Sequence, residues 1–121
     1  MSKKQIESYI PKAIELLTKE FPDGKIASAY NGYISSFGAS IIQSGLKPTL
    51  AVFENANNKD KTKEDKSNLS KFILKLLPNA KGDSLLKFVI ANKDYEEALK
   101  AEIIDIAIAL KLSIRTFNLG D

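Results

Sequence analysis

Apolar residues recur along this chain at steps of three and four, the spacing that gathers side chains onto one face of an α-helix. Ile6, Ile10, Ala13, Ile14, Leu17 and Phe21 fall on one stripe, and Lys4, Ser8, Lys12, Glu15 and Lys19 lie opposite. Pro11 inside this pattern predicts a kink or a short irregular first segment. Pro22-Asp23-Gly24 stops the helix and starts the next. A second helix is expected over about 25–37, with Ile26, Tyr30, Tyr33, Ile34 and Phe37 as its apolar face. Ser28, Asn31, Gly32 and Ser35 form a small, uncharged back. A third is expected over about 39–55, carrying Ile41, Ile42, Leu46, Leu50 and Phe53, with a kink or break at Gly45 and Pro48.

Eleven of the twelve residues in 55–66 are polar. Such a segment buries too little to offset its ordering entropy, and a mobile loop is expected there. Ser67 or Asn68 then caps a helix bearing Leu69, Phe72, Ile73, Leu76 and Leu77. After the turn 78–82, Asp83 or Ser84 caps a short helix with Leu85, Leu86, Val89 and Ile90. Asp94-Tyr95-Glu96-Glu97 reads as a capping box opening a long last helix, 95 to about 117. Five isoleucines between Ile103 and Ile114 raise a strand reading, but the periodicity and length favour helix, and no alternating segment elsewhere offers a partner strand. The pattern predicts an all-α fold, a single compact bundle of five to six helices.

The length, 121 residues, fits one helical domain spanning 1–121, enough to bury roughly two thirds of the unfolded surface without metal or disulfide. The chain has no cysteine and no histidine. Thiolate metal sites, cysteine nucleophiles, Ser-His-Asp arrangements and histidine bases are therefore excluded. Glu96/Glu97 and Glu102/Asp105 read as caps and surface charge. No catalytic residue, metal or cofactor is expected, and the protein is read as a non-enzyme. The apolar stretches are shorter than the about 20 residues of a membrane span, and the N-terminus lacks a signal-peptide core, so a cytoplasmic protein with no membrane partner is expected.

The net charge is +3, which permits nucleic-acid contact without requiring it. Its distribution is uneven. Residues 59–75 hold six lysines and three acids, whereas 94–121 hold three basic and six acidic groups. The lysines of 59–81 form the obvious basic patch, read either as solvation of a loop or as a flexible arm near a phosphate backbone. Lys12 and Lys19, with Lys111 and Arg115 one turn apart, are further candidate phosphate contacts. Arg115 is the single arginine, whose planar fork suits phosphate oxygens. No Gly-rich phosphate loop and no interleaving of aromatic with basic residues appears, so any such contact is to the backbone and independent of base sequence. The last helix is apolar on two sides. Tyr95, Leu99, Ile103, Ile106, Leu110, Ile114 and Phe117 form a core stripe. Ala101, Ile104, Ile108 and Leu112 form a second, read as central burial or as a partner interface at Ile104, Ile108 and Leu112.

Ala29-Tyr30, Ile41-Ile42-Gln43-Ser44-Gly45-Leu46 and Thr49-Leu50-Ala51-Val52-Phe53-Glu54, with Ala109-Leu110-Lys111 to Arg115-Thr116-Phe117 at the close, resemble a known family. It is the small all-helical (fifth) subunit of type III-B, Cmr-type CRISPR RNA-guided effector complexes. The resemblance implies a non-catalytic structural subunit. Its partners would be the backbone and large Cmr subunits, copies of itself stacked as a minor filament, and the duplex of guide RNA with target RNA. The alternative is a helical protein–protein adaptor with no nucleic-acid contact. A free-standing nucleic-acid module ranks third, for want of a recognition helix rich in Arg, Asn or Gln.

Overall fold

Residues 3–54 and 66–120 are described in the computed structural model. The first apolar stripe forms α1 (Lys3–Glu20), which buries Ile6, Tyr9, Ala13 and Leu17. Pro11 lies inside α1 without dividing it. Pro11 and Glu7 are both exposed, so the carbonyl that loses its donor can take water instead. Pro22-Asp23-Gly24 ends the helix as expected: the Gly24 amide donates to the Phe21 carbonyl (2.9 Å) and the Lys25 amide to Asp23 Oδ1 (3.0 Å).

The turn does not lead straight into a helix. Lys25–Ala27 forms β1, paired in parallel with β2 (Asn118–Gly120), Ile26 opposite Leu119. Strands of three residues are too short to show an alternating pattern, and the partner comes from the far end of the chain. Gly120 is accordingly a strand residue. The last helix stops at Ile114, short of 117.

α2 (Ala29–Ser44) runs through Gly38, where the sequence suggests a division, and breaks at Gly45 before α3 (Leu46–Phe53). Burial explains the shift. Tyr30, Ile34, Phe37 and Ile41 continue one buried stripe across Gly38, outweighing the about 1 kcal/mol cost of a mid-helix glycine. Ile42 falls off that stripe and is 81% exposed, contrary to its expected place in the core. Gly45 adopts φ 97°, ψ 167°, a region open essentially to glycine alone. Pro48 is the third residue of α3, where a missing N–H has no intrahelical partner to lose, so it starts a helix rather than kinking one.

Of the polar segment 55–66, expected to be a mobile loop, residues 55–65 lie outside the described residues. Lys66 Nζ lies 5.7 Å from the centroid of the Phe53 ring. α4 (Ser67–Leu76) has no side-chain cap. Asn68 Nδ2 instead donates to the hydroxyl of Tyr30 (3.1 Å), whose ring packs edge-on against Phe21 and Tyr33 and tilted against Phe72. α5 (Leu85–Ala91) is capped by Ser84 as expected, its Oγ accepting from the Lys87 amide. That hydroxyl also donates to Glu54 Oε1 (2.6 Å), while the Leu86 amide donates to Glu54 Oε2 (3.0 Å), tying the end of α3 to the start of α5. Ile90 is exposed.

No capping box opens α6 (Glu96–Ile114). A 3₁₀ turn (Lys93–Tyr95) leads in, no side chain caps the helix, and Glu96 pairs with Lys47 Nζ (3.3 Å) instead. Tyr95, placed in the core stripe by spacing, precedes the helix and is 68% exposed. Ile103, Ile106, Leu110 and Ile114 are buried as expected. The second stripe is intermediate: Ile104 and Ile108 are half-buried and Leu112 is 40% exposed.

A third arc of α6, holding Glu102, Asp105, Ala109 and Ser113, meets α1 in the most extensive helix contact of the molecule. Tyr9 donates to Glu102 Oε1 (3.2 Å), and the Ser113 hydroxyl makes a longer contact to the Ile10 carbonyl (3.5 Å). Asp105, read from sequence as surface charge, is 1% exposed, and its Oδ1 has no partner among the described residues. Burial, the Glu102 charge and hydrogen bond, and the Asp105 charge push the Tyr9 phenol up to about 12. All six α-helices of the described residues contribute to one hydrophobic cluster.

Two outcomes are expected in urea titrations of the full chain. Gly45→Ala should lose about 1–3 kcal/mol because alanine strains at that φ/ψ, whereas Gly32→Ala, exposed with open space around it, should gain up to about 1 kcal/mol. Equal stability of Gly45→Ala and wild type would show that the break is not set by the glycine. For Tyr9, the unfolded phenol ionises near 10.0 and the folded one near 12. Its stabilising contribution is complete below pH 10 and is lost as pH rises towards 12. Tyr9→Phe, about 0.5–1.5 kcal/mol less stable at neutral pH through the lost hydrogen bond, should close on wild type over that window. A gap that stays constant would contradict the coupling.

Candidate interaction surfaces

α4 turns Phe72, Ile73 and Leu76 inward, which leaves Lys71 and Lys75, one turn apart, exposed on its outer side. The following turn takes Asn79 through φ 64° and Gly82 through φ 93°, and it presents Lys81 beside them. α1 packs against α4 and turns Lys12 and Lys19 outward. Two adjoining grooves result. One, of about 390 Å³, has Lys12, Glu15, Lys19 and Lys75 around a floor of Leu16 and Leu77. The other, of about 370 Å³, has Lys71, Lys75, Lys81 and Asp83 around Leu74 and Ala80. Lys75 belongs to both.

The charges of this ridge are lightly engaged. Lys19 reaches Glu15 at 3.5 Å with both side chains more than 70% exposed, a geometry that contributes little. Lys75 pairs with Glu20 at 3.0 Å. Among the described residues Lys12, Lys71 and Lys81 make no ion pair.

The second surface lies between α2 and α6. A groove of about 200 Å³ is lined by Ile34, Gly38, Ile104, Ala107, Ile108 and Lys111. Lys111 Nζ donates to the Ser35 hydroxyl across it (3.0 Å). Of the small back face of α2 only Ser35 reaches this trough; Ile34, Phe37 and Gly38 supply the rest of that wall. Ile104 also edges a neighbouring depression with Glu97, Lys100 and Ala101.

The structure regroups the candidate residues. Lys12 and Lys19 share a groove, but Lys111 lies on the other surface, in the same trough as Ile104 and Ile108. Arg115, exposed at the C-terminal cap of α6, lines neither of these grooves. Leu112 stands outside the trough that holds Ile104 and Ile108. The partners that Lys12 and Lys19 acquire are Lys75, on the same groove, and through it Lys71 and Lys81. The run of lysines in 59–81 is their signal in the sequence, but only the docking of α4 on α1 aligns them with the first helix. Among the described residues no three acidic, histidine or cysteine side chains gather to hold a metal, and no helix is long and apolar enough to cross a membrane.

The model of one protein family, CRISPR-associated protein (Cas_Cmr5), matches residues 3–111. The match runs from α1 into the last turns of α6 and takes in both surfaces, while Leu112 and Arg115 lie beyond it. No curated protein and no solved structure matches the chain. With nine tenths of its length matched to that model, and with a helical bundle of the size and pattern its residues called for, the chain belongs to the Cas_Cmr5 family and is a Cmr5-type subunit of type III-B CRISPR complexes.

Proposed function

We propose that this protein acts as a non-catalytic structural subunit of the Cmr effector, a single cytoplasmic helical domain over 1–121. In this reading it stacks with copies of itself beside the backbone and large subunits and helps to frame the groove that takes target RNA paired with the guide. The family match over residues 3–111 carries the reading. Two physical features support it. The chain contains neither histidine nor cysteine, which removes the commonest acid–base and nucleophilic groups. It also presents a basic surface and an apolar one that share no lining residue. Lys12 and Lys19 on the first, with Lys111 and Arg115 on the α6 side, are the proposed contacts to RNA backbone. Ile104, Ile108 and Leu112 are the proposed protein interface.

One observation favours the second reading, a protein–protein adaptor without RNA contact. Lys111 is held by Ser35 inside an apolar trough, an environment suited to a partner side chain.

Affinity purification of the tagged chain from its host should bring down guide RNA together with other Cmr subunits. Recovery of protein partners without RNA would select the adaptor. Purified chain incubated with labelled single-stranded RNA and Mg²⁺ or Mn²⁺ should leave it intact; cleavage lost on mutating one of its carboxylates would overturn the non-catalytic assignment. Ile108→Asp places its charge on a groove wall that is partly buried against the core. It should cost about 1–3 kcal/mol in folding, leaving the chain folded, yet abolish assembly. Loss of the folded state, or normal assembly, would remove Ile108 from the interface.

A further inference from the structure

The two lysine grooves adjoin, and their shape bears on what they take. The shared residue, Lys75, makes them one elongated track rather than two pockets. Lys71 and Lys75 stand about 6 Å apart along α4, at 1.5 Å rise per residue. Five lysines outnumber the carboxylates of Glu15 and Asp83 around the rims, and Leu16, Leu77, Leu74 and Ala80 lie between them. The track contains no arginine and no aromatic ring. It therefore has no planar fork to grip one carboxylate or phosphate in two places and no face on which a base would stack. Mobile point charges along a track suit a chain of regularly spaced monoanions, which a nucleic-acid backbone provides whatever its bases.

We infer that the α1–α4 ridge, through Lys71, Lys75 and Lys81 together with Lys12 and Lys19, is a sequence-independent site for the phosphate backbone of single-stranded RNA, and that the isolated chain binds RNA there. The inference rests on the reading of RNA as a ligand and extends it to three lysines on α4 and the turn after it. Three of the five lysines have no ion pair among the described residues. Lys19 sits in an exposed pair that a phosphate can displace at little cost, and Lys75 in a closer pair with the partly exposed Glu20.

Counterion release sets the expected result. Three to five phosphate contacts on a single strand give a slope of log affinity against log salt of about −2 to −3.5. Fluorescence anisotropy with a labelled single-stranded RNA, from about 20 mM salt upward, reads that slope for the full chain. Lys71→Ala/Lys75→Ala/Lys81→Ala should make it shallower by about 2, to a similar extent for unrelated RNA sequences. The control Lys3→Ala/Lys4→Ala/Lys93→Ala removes the same charge from residues that line neither groove and should change it by less than about 1.

Equal loss in the control would show attraction by net charge alone and overturn the site. Absence of binding at low salt would overturn it too. A polyglutamate of matched charge that binds as tightly as the RNA would make the ridge an acidic-protein surface instead. Each of these failures leaves the co-purification of guide RNA, which tests the subunit reading, untouched.

Discussion

The contact of α1 with α6 organises the rest of the molecule. It is made on an arc of α6 that is small and polar rather than apolar. Ala109 and Ala13 are fully buried, and small side chains allow helix axes to approach closely. The polar atoms on the arc are partly matched across the contact, Tyr9 to Glu102 and Ser113 to the Ile10 carbonyl. Asp105 lies in the same layer with one carboxylate oxygen unpartnered. An apolar residue of similar size there would avoid burying a charge. The fold thus carries a cost at its central contact, offset by the stripe of Ile103, Ile106, Leu110 and Ile114 that the contact turns inward.

Both outer surfaces follow from that placement. With α1 on the polar arc and the core on the main stripe, the remaining apolar stripe of α6 is left to α2, which meets it with Ile34, Ser35, Phe37 and Gly38. Ser35 and Gly38 are too small to cover Ile104 and Ile108 fully, and a trough remains. On the other side of α1, Lys12 and Lys19 point away from the core towards the exposed edge of α4. The basic ridge is built from residues about sixty positions apart in sequence.

The role proposed for this subunit calls for such surfaces more than for reactive groups. Membership of the Cas_Cmr5 family places the chain among Cmr complex subunits. The separation of the surfaces gives the proposed roles distinct places on the molecule: side-chain packing in the α2–α6 trough and backbone charge along the α1–α4 ridge. Lys111 shows why charge alone is a poor guide. By composition it belongs with the phosphate contacts, whereas by position it completes the wall of the trough.

The helices themselves were legible along the chain, because each buries a stripe whose period is local. The stripe of α4 and the core side of α6 read directly, as did the Ser84 cap and the break near Gly45, whereas the stripe read for α1 missed the buried Tyr9. The family was legible too, since its resemblance rests on runs of apolar and small residues within single helices. The places where reading along the chain failed share one cause, that the deciding partner is distant in sequence. β1 is a strand because residues 118–120 lie beside it. Asn68 leaves its helix end to satisfy the Tyr30 hydroxyl, and Glu96 turns to Lys47. Asp105 looks like surface charge until α1 covers it. Local periodicity determined which residues could be helical and which face each helix would bury. Only the tertiary packing decided which lysines share a groove, because that depends on how α4 docks against α1 and on nothing within either helix.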